Sequence, residues 1–242
     1  MSMEADNIVL NKLKQHSRLA GDDIAEIGRF SFAPRELADH EDLIRQGDEP
    51  DRSVVVLSGW VARYHLLANG GRQYLSFHMA GDWPDAQALF LDRMDHAVCA
   101  LGPVVVAGVA HKELTRAISR RPALGFAIWR ETLIDAAMFR EAITNNSARA
   151  KPARMAHLFC ELFYRARALG HVRDDQLRLP LSLIQLGEAL GMAIATVNRT
   201  LGELRASRAV DFRAGTLTVH NWQRICAIGD FDPGYLHLKQ PR

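Results

Sequence analysis

The chain has 242 residues, of which 48% are hydrophobic and 24% charged, as in an ordinary soluble globular protein. Its formal net charge of +2 excludes neither a nucleic acid nor an acidic partner, because one face can be basic while the whole is balanced. No apolar run approaches the roughly 20 residues of a membrane span. The N-terminal stretch lacks the basic and apolar regions of a secretory signal, so a cytoplasmic protein without membrane contact is predicted.

From about Phe30 to Ala110 the chain has the pattern of short β-strands. Runs rich in β-branched and aromatic residues, such as "SVVVLSGWVARYHLL" and "RQYLSFHM", alternate with turn signals such as "RQGDEPD" and "ANGGR". Their regular spacing predicts a small barrel or roll. The tip at 69–71, Asn-Gly-Gly, predicts a hairpin turn with positive φ. Two short helices are expected ahead of the roll, in "NIVLNKLKQHSRL" and "GDDIAEIGRF".

From His111 the hydrophobic period changes to that of a helix. One short helix should end near Pro122, and a long helix should begin there, because proline suits the first helical position. The long helix has a seam at the 3–4 spacing of paired helices, and its members are Phe126, Trp129, Leu133, Ala136, Arg140 and Ile143. Further apolar residues lie off the seam, namely Leu124, Ile128, Ile134 and Met138.

A helix that is apolar on two sides must bury both sides. The sequence leaves two alternatives for the long helix. It is either a core helix within one chain, or a helix packed on its own β domain and on the same helix of a second subunit.

Nearer the C-terminus, the stretch "LGEALGMAIATVNRTLGELR" predicts two helices joined by a tight turn. Ser182 followed by Gln185 is a capping-box start. Gly191 is suited to end the first helix, because glycine adopts the left-handed conformation freely. Gly187 is small where the helices must cross, and Val197 fills the angle between them. This arrangement is the helix-turn-helix pattern.

The following stretch, "AVDFRAGTLTV", predicts two short strands about a glycine tip, which form the wing of a winged helix. In that geometry the start of the second helix faces the DNA major groove. Arg199 can bond guanine, and Asn198 can bond adenine or a phosphate. Small and apolar residues there can contact a thymine methyl group, whereas hydroxyl side chains suit phosphates. The predicted DNA-contacting set is Ser182, Ala193, Ile194, Ala195, Thr196, Asn198 and Arg199. The alternative for Thr196 and Asn198 is that they only solvate a surface helix.

This order of parts resembles the catabolite-activator and fumarate-nitrate-regulator (Crp/Fnr) superfamily of bacterial transcription regulators. The resemblance is carried by "VVVLSGWVARYHLL", "LSFHMAGDWPDAQALF" and "LGEALGMAIATVNRTLGELRASRAV". It implies an α+β fold with a cyclic-nucleotide-binding-like β-roll (1–120), a central dimerisation helix (121–149) and a winged helix-turn-helix domain with a C-terminal tail (150–242). It also implies a homodimer on two-fold symmetric double-stranded DNA, with RNA polymerase as a partner of activating members. No catalysis is implied.

The effector segment departs from the family pattern. Cyclic-nucleotide-binding members carry a Gly-Glu pair and an Arg-Ser pair that hold the ribose and the cyclic phosphate. The corresponding positions here are Asp85–Ala86 and His96–Ala97. A carboxylate at Asp85 would repel a phosphate, Ala86 cannot bond a ribose hydroxyl, and His96 is charged only in part at neutral pH. Cyclic AMP is therefore not the expected effector, and any other small-molecule effector is left open.

The sequence also lacks the residues with which other members of the family bind an iron–sulfur cluster or haem. No cysteine precedes Cys99, so the N-terminal four-thiolate iron–sulfur cluster cannot be built. No histidine or cysteine follows "AGDWPD" where haem-sensing members place a ligand. No cofactor is therefore expected. In the recognition helix, Ala195 stands where many members have a glutamate, so the DNA sequence read should differ from theirs.

A cupin-like metal protein is one alternative, because the roll contains His65, His78, His96 and His111. These four are scattered singly, and the expected His-x-His with a nearby glutamate is missing.

A cysteine-based redox-responsive regulator is the other alternative. Cys99 and Cys160 lie in apolar runs and are expected to be buried. Cys226 is the most reachable, but no neighbouring histidine or paired cysteine supports its reactivity. Three scattered cysteines are also too few for a disulfide framework or a zinc cluster.

Overall fold

The computed structural model describes residues 2–238, and the last four residues of the predicted tail, 239–242, lie outside this range. The chain forms two compact units that divide between Ala136 and Ala137. Each unit is described by itself.

The first unit begins with two helices, α1 (Ser2–Lys14) and α2 (Gly21–Ile27), followed by an antiparallel sheet. The strands are β1 (Ala33–Leu37), β2 (Asp42–Ile44), β3 (Arg52–Leu66), β4 (Arg72–Met79) and β5 (Ala97–Ala110). Their order is β1-β5-β3-β4, and β2 also pairs with β5. A single 3₁₀ turn, Ala86–Leu89, lies between β4 and β5. The predicted β-roll is confirmed, including the hairpin tip, where Gly70 has φ +80°.

The roll is curved at a bulge in its longest strand. The register of β3 against β5 shifts between Val56 and Trp60. Gly59 lies within this bulge at φ +82°, and a Cβ there would stand 2.5 Å from the carbonyl oxygen of Pro103. Glycine is therefore required both for the backbone angle and for the close approach of β5.

Two apolar clusters hold the first unit together. One lies inside the roll and is formed mainly by valines, including Val54, Val56, Val61, Val98 and Val106. The other joins the roll to the helices and includes Val9, Leu13, Ile27, Val55, Leu114, Leu124 and Ile128. The two long strands, β3 and β5, contribute to both clusters and therefore bury side chains on both faces of the sheet, which is why their sequences are rich in valine.

Two helices follow the roll, α3 (His111–Arg120) and α4 (Pro122–Ala148), as the change of period predicts. With 27 residues, α4 is about 40 Å long. Its off-seam residues Leu124, Ile128 and Ile134 are buried, whereas Phe126, Trp129 and Leu133 are 63%, 53% and 51% exposed. The alternative of a core helix with both sides buried within one chain is therefore wrong.

The second unit contains the end of α4, four further helices and a small antiparallel sheet. The helices are α5 (Lys151–Ala168), α6 (Leu183–Leu190), α7 (Ile194–Ala206) and α8 (Trp222–Gly229). The strands are β6 (Gln176–Arg178), β7 (Val210–Arg213) and β8 (Thr216–Val219), in the order β6-β8-β7. The sequence predicts the β7–β8 hairpin but not β6, which has only three residues and no alternating pattern of its own.

Two glycines of the helix-turn-helix offer a test of the close crossing. A Cβ at Gly187 would stand 2.5 Å from the backbone oxygen of Met192, so Gly187→Ala should destabilise the unit by about 1–3 kcal/mol. Gly202 is a matched control, because it is exposed in the middle of α7 with nothing within 4 Å of an added Cβ. Gly202→Ala should stabilise by about 0.5–1 kcal/mol. Urea unfolding of the two variants measures both changes, and equal effects would show that the crossing at Gly187 is not tight.

Candidate nucleic-acid interface

The turn of the helix-turn-helix is fixed by local hydrogen bonds. The Ser182 hydroxyl accepts from the backbone N–H of Gln185 at 3.2 Å, and the Gln185 side chain accepts from the N–H of Ser182 at 2.8 Å. Gly191 ends α6 in the left-handed conformation, with φ +62°. The capping box and the glycine cap are therefore present as the sequence predicts.

The carbonyl end of α6 is held by two side chains from neighbouring helices. Asn146 donates to the carbonyl oxygen of Ala189 at 3.2 Å, and Arg154 donates to that of Leu190 at 2.9 Å. These carbonyls have no partner inside α6, so the two bonds stabilise the helix end and fix its position. Sequence reasoning did not find this support, since neither residue lies near α6 in the chain.

The recognition helix α7 has a buried side and an exposed side. Val197, Leu201 and Leu204 are buried, and the prediction that Val197 fills the angle between the two helices agrees with its complete burial. Thr196 is half-buried. The other predicted contact residues on or next to α7 are exposed, namely Ala193, Ile194, Ala195, Asn198 and Arg199, and Ser182 is exposed at the start of α6. The exposed edge is thus the one that the helix-turn-helix geometry presents to a groove.

The polar side chains on this edge are weakly held by the protein itself. Asn198 donates to the carbonyl oxygen of Ile194 at 3.2 Å. Arg199 lies 3.7 Å from Glu203, and the two side chains are 66% and 50% exposed. Such an exposed ion pair contributes little stability, so Arg199 can exchange it for a stronger bond at low cost.

The wing is a tight hairpin with basic residues around it. Ala214 and Gly215 have φ +47° and +70°, as in a two-residue turn that matches strand twist. Arg178 donates to the carbonyl oxygen of Ala214 at 2.6 Å. Asp211 accepts from Arg205 of α7 at 2.8 Å and lies 2.6 Å from Arg213 of the wing. Sequence reasoning missed these arginines, although the alternation in "VDFRAGTL" places Arg213 on the outer face.

In the roll, the predicted effector position Asp85 is fully buried. Its Oδ1 accepts from the backbone N–H of Val54 at 2.8 Å, while its Oδ2 is buried without a hydrogen-bond partner. Burial raises the pKa of Asp85 to about 7. At neutral pH the carboxyl therefore carries less than a full negative charge, and the repulsion of a phosphate is weaker than the sequence suggests.

The other effector positions are also buried, but they face different neighbours. Ala86 belongs to the apolar cluster between the roll and the helices, and Ala97 is 6% exposed. His96 Nδ1 lies 2.7 Å from Asp95, and Gln87 donates to His96 Nε2 at 3.4 Å. Burial lowers the pKa of His96, so this ring is neutral at pH 7 and offers no positive charge to a phosphate.

A buried arginine stands beside these positions, and sequence reasoning missed it. Arg63 is 1% exposed, donates to the carbonyl oxygen of Pro84 at 2.7 Å and forms an ion pair with Asp135 of α4. Its other guanidinium nitrogen lies 3.5 Å from Gln87. The buried guanidinium of Arg63 is thus already paired within the chain.

A cavity of about 580 Å³ opens on the roll, with Asp85 in its wall. Its wall also contains two cationic side chains, Arg35 and Arg52, and the apolar Ile44 and Val106. Of the four predicted effector positions, Asp85 lines this cavity, whereas Ala86 faces the core and His96 faces Gln87.

The histidines of the roll are held by hydrogen bonds to neighbouring residues, and His65 and His96 both contact Asp95. His65 is hydrogen-bonded to the carbonyl oxygen of Asp95 at 3.0 Å. His78 is hydrogen-bonded to Ser76 Oγ at 2.8 Å, and His111 to Ser53 Oγ at 3.1 Å. Within residues 2–238, no three side chains of histidine, cysteine, aspartate or glutamate are grouped so as to hold a metal ion. Nor does any helix in this range have the length and apolar character to cross a bilayer.

Comparison with known proteins gives two matches to family models. The Cyclic nucleotide-binding domain matches residues 34–121, and the Crp-like helix-turn-helix domain matches residues 153–228. Together they cover about two thirds of the chain, in the order that the β-roll and the winged helix follow here.

Curated relatives and solved structures agree with these matches. The chain is 26% identical over 209 residues to the nitrogen fixation regulation protein FixK of Bradyrhizobium diazoefficiens, covering 85% of this chain and 86% of FixK. It is 24% identical to the fumarate and nitrate reduction regulatory protein of Vibrio cholerae, covering 75% and 72% of the two chains. The structure of FixK2 from Bradyrhizobium japonicum superposes with a TM-score of 0.73 at 22% identity, covering 82% of this chain and 97% of FixK2.

The fold and the exposed recognition helix define a winged helix-turn-helix DNA-binding protein with a cyclic-nucleotide-binding-like domain. The chain belongs to the Crp/Fnr superfamily and is a DNA-binding transcription regulator. The α+β fold and the regulator function predicted from the sequence are therefore confirmed.

Proposed function

We propose that the regulator acts as a homodimer on a two-fold symmetric DNA site. The observation that carries the proposal is the exposed apolar side of α4. Phe126, Trp129 and Leu133 are each more than half exposed in the single chain, although their spacing is that of a helix-pairing seam. Two copies of this side, related by a two-fold axis, would cover each other.

An apolar groove beside the seam supports the same interface. It has a volume of about 590 Å³, and its wall contains Phe126 and Trp129 of the seam together with Phe90 and Leu91. Phe90 and Leu91 are 59% and 52% exposed. Exposed apolar surface of this kind is typical of binding surfaces, and its continuity with the α4 seam favours a protein contact here.

A two-fold dimer would present two copies of α7 to successive turns of the major groove, with half-sites ~34 Å apart. We assign base contacts to Arg199 and Asn198, and apolar contacts to Ala193, Ile194 and Ala195. The hydroxyl side chains of Ser182 and Thr196 are assigned to phosphates. Arg178 and Arg213 beside the wing tip add further phosphate contacts. Alanine at position 195 supplies no acceptor for cytosine.

Arg199→Ala should weaken binding to the specific site by ~1–3 kcal/mol for each half-site and relax the preference at one base pair in each half-site. The reason is that its guanidinium can make two hydrogen bonds to guanine, and the exposed pair with Glu203 does not compete strongly. Titrations with a panel of single-base variants of the site measure both effects.

Arg213→Ala is the matched control for that experiment, because Arg213 is 67% exposed on the wing and also pairs with an acidic residue. It should weaken binding about equally for all sequences and lower the salt dependence by about one ion for each half-site, or about two ions for the dimer. A uniform loss for Arg199→Ala would instead identify Arg199 as a phosphate contact.

The same proposal includes the remaining parts of the regulator. The β-roll (1–120) is the effector domain, 121–149 the dimerisation helix and 150–242 the DNA-binding domain. Cyclic AMP does not fit the roll, because Ala86 faces the core and His96 is neutral. An effector of another kind would act by a population shift between dimer arrangements. We infer a cytoplasmic location, because the DNA that the regulator binds lies there. A regulator that activates transcription would also contact RNA polymerase.

Selection of bound duplexes from a random DNA pool, using the purified protein without added ligand, tests the proposal directly. A two-fold symmetric site with half-sites one helical turn apart is the expected result. Enrichment of a single, unpaired half-site would contradict the homodimer on DNA.

A further inference from the structure

Helices α5 and α8 pack against each other in antiparallel directions at very short range. A Cβ at Gly229 would stand 2.7 Å from the backbone nitrogen of His157, so only glycine allows this approach. Two turns further along α5, Phe163 lies against Trp222, with ring centroids 5.6 Å apart. Between these contacts, one turn from each, the two helices place a cysteine opposite a cysteine.

The two thiols are Cys160 of α5 and Cys226 of α8, and their sulfur atoms lie 4.0 Å apart. The sequence-based statement that Cys226 has no paired cysteine is therefore wrong. The partner is distant along the chain and comes close only because the helices cross at Gly229. A disulfide requires a sulfur separation of about 2.05 Å, so the sulfurs must approach by about 2 Å.

The two cysteines have different surroundings. Cys226 is half-buried, whereas Cys160 is fully buried. The Cys160 thiol donates its hydrogen to the Cys226 sulfur, which lowers the pKa of Cys226 and raises that of Cys160. The positive charge of Arg167, stacked 4.8 Å over the ring of Trp222, adds to the lowering at Cys226. Cys226 is thus the nucleophile of the pair, and Cys160 is the resolving cysteine.

We propose that Cys160 and Cys226 form a dithiol site that hydrogen peroxide oxidises to an intradomain disulfide between α5 and α8. The Cys226 thiolate attacks one peroxide oxygen, the O–O bond breaks, and the leaving hydroxide takes a proton to become water. The Cys160 sulfur then attacks the sulfur of the Cys226 sulfenic acid, so that the S–S bond forms and the S–O bond breaks. The released hydroxide takes the Cys160 proton as a second water. The two thiols lose two electrons, and the peroxide gains them.

Cys99 provides an internal control within the same chain. It is fully buried in the roll, and burial raises its pKa to about 11. It should therefore stay reduced under conditions that oxidise the pair, because the thiolate rather than the thiol reacts with peroxide.

The test is a count of thiols on the full chain. Reduced protein is treated with hydrogen peroxide, quenched, denatured and alkylated, and its mass and peptide map are then recorded. The expected result is a fall from three alkylated cysteines to one, with a cross-linked peptide pair that contains Cys160 and Cys226. Three alkylated cysteines after treatment, or a link between two chains through Cys226, would overturn the proposal.

Two variants check the assigned roles. Cys160→Ala should leave a sulfenic acid at Cys226 that dimedone traps, and Cys226→Ser should leave Cys160 unoxidised. The wild-type result alone decides the proposal if the substitution at the buried Cys160 prevents folding. The site does not depend on DNA binding, so its failure would leave the proposed function untouched.

Discussion

Leu133→Asp is expected to convert the dimer into a monomer and to weaken binding to the two-fold symmetric site roughly 10²–10⁴-fold. Leu133 is 51% exposed on α4 in the single chain, so the substitution should cost little in folding stability. In the dimer it would place a carboxylate from each subunit in an apolar interface, where an unpaired charge costs several kcal/mol. A monomer binds through one half-site and loses the gain from the second, which accounts for the size of the effect.

Sedimentation and operator titration on the same samples measure this effect. Leu67→Asp is the matched control, because Leu67 is 44% exposed in the hairpin tip of the roll and does not belong to the α4 seam. It should remain dimeric and bind DNA as the wild type does. If Leu133→Asp sediments as a dimer, the seam has been assigned to the wrong residues.

The parts of this protein that local rules govern could be predicted from the sequence. The capping box at Ser182 and the glycine cap at Gly191 depend on a few neighbouring residues, and both are present. The two sides of α4 follow from helical periodicity, which separates buried Ile128 from exposed Trp129. The recognition edge of α7 follows in the same way, since Val197 is buried and Asn198 exposed.

What could not be predicted depends on residues that the fold brings together from afar. Cys160 and Cys226 become neighbours only through the crossing of α5 and α8. In the sequence, Arg63 is an ordinary polar residue within a predicted strand. In the structure it is buried and paired with Asp135, which lies 72 residues later in the chain. The raised pKa of Asp85 also has no sequence signal, because it results from complete burial. These three features are tertiary, and sequence patterns of period 2 or 3.6 contain no information about them.

Asp85→Asn should remove a pH-dependent contribution to the free energy of unfolding of the β-roll. That contribution amounts to about 4 kcal/mol over the full titration of Asp85. Burial raises the pKa of Asp85 from 3.8 to about 7, and each unit of difference corresponds to 1.36 kcal/mol. Between these values the folded state binds more protons at this position than the unfolded state. The free energy of unfolding of the wild type therefore falls as the pH rises from about 4 to 7. Asparagine cannot ionise, and its amide oxygen can still accept from Val54.

Denaturant unfolding of both proteins between pH 5 and pH 8 checks this expectation, with the fluorescence of the buried Trp60 and Trp83 as the signal of the roll. As the pH rises from 5 to 8, the free energy of unfolding of the variant should increase by about 2–3 kcal/mol relative to that of the wild type. The change is smaller than about 4 kcal/mol because part of the titration lies below pH 5. Asp51→Asn is the control on the same cavity. The hydrogen bond from Arg52 lowers the pKa of Asp51, so Asp51 is fully ionised above pH 5. The difference in the free energy of unfolding between Asp51→Asn and the wild type should therefore not change with pH over this range. A flat difference for Asp85→Asn as well would mean that Asp85 is ionised in the folded roll. The cavity would then present a full negative charge, and the repulsion of a phosphate predicted from the sequence would be restored.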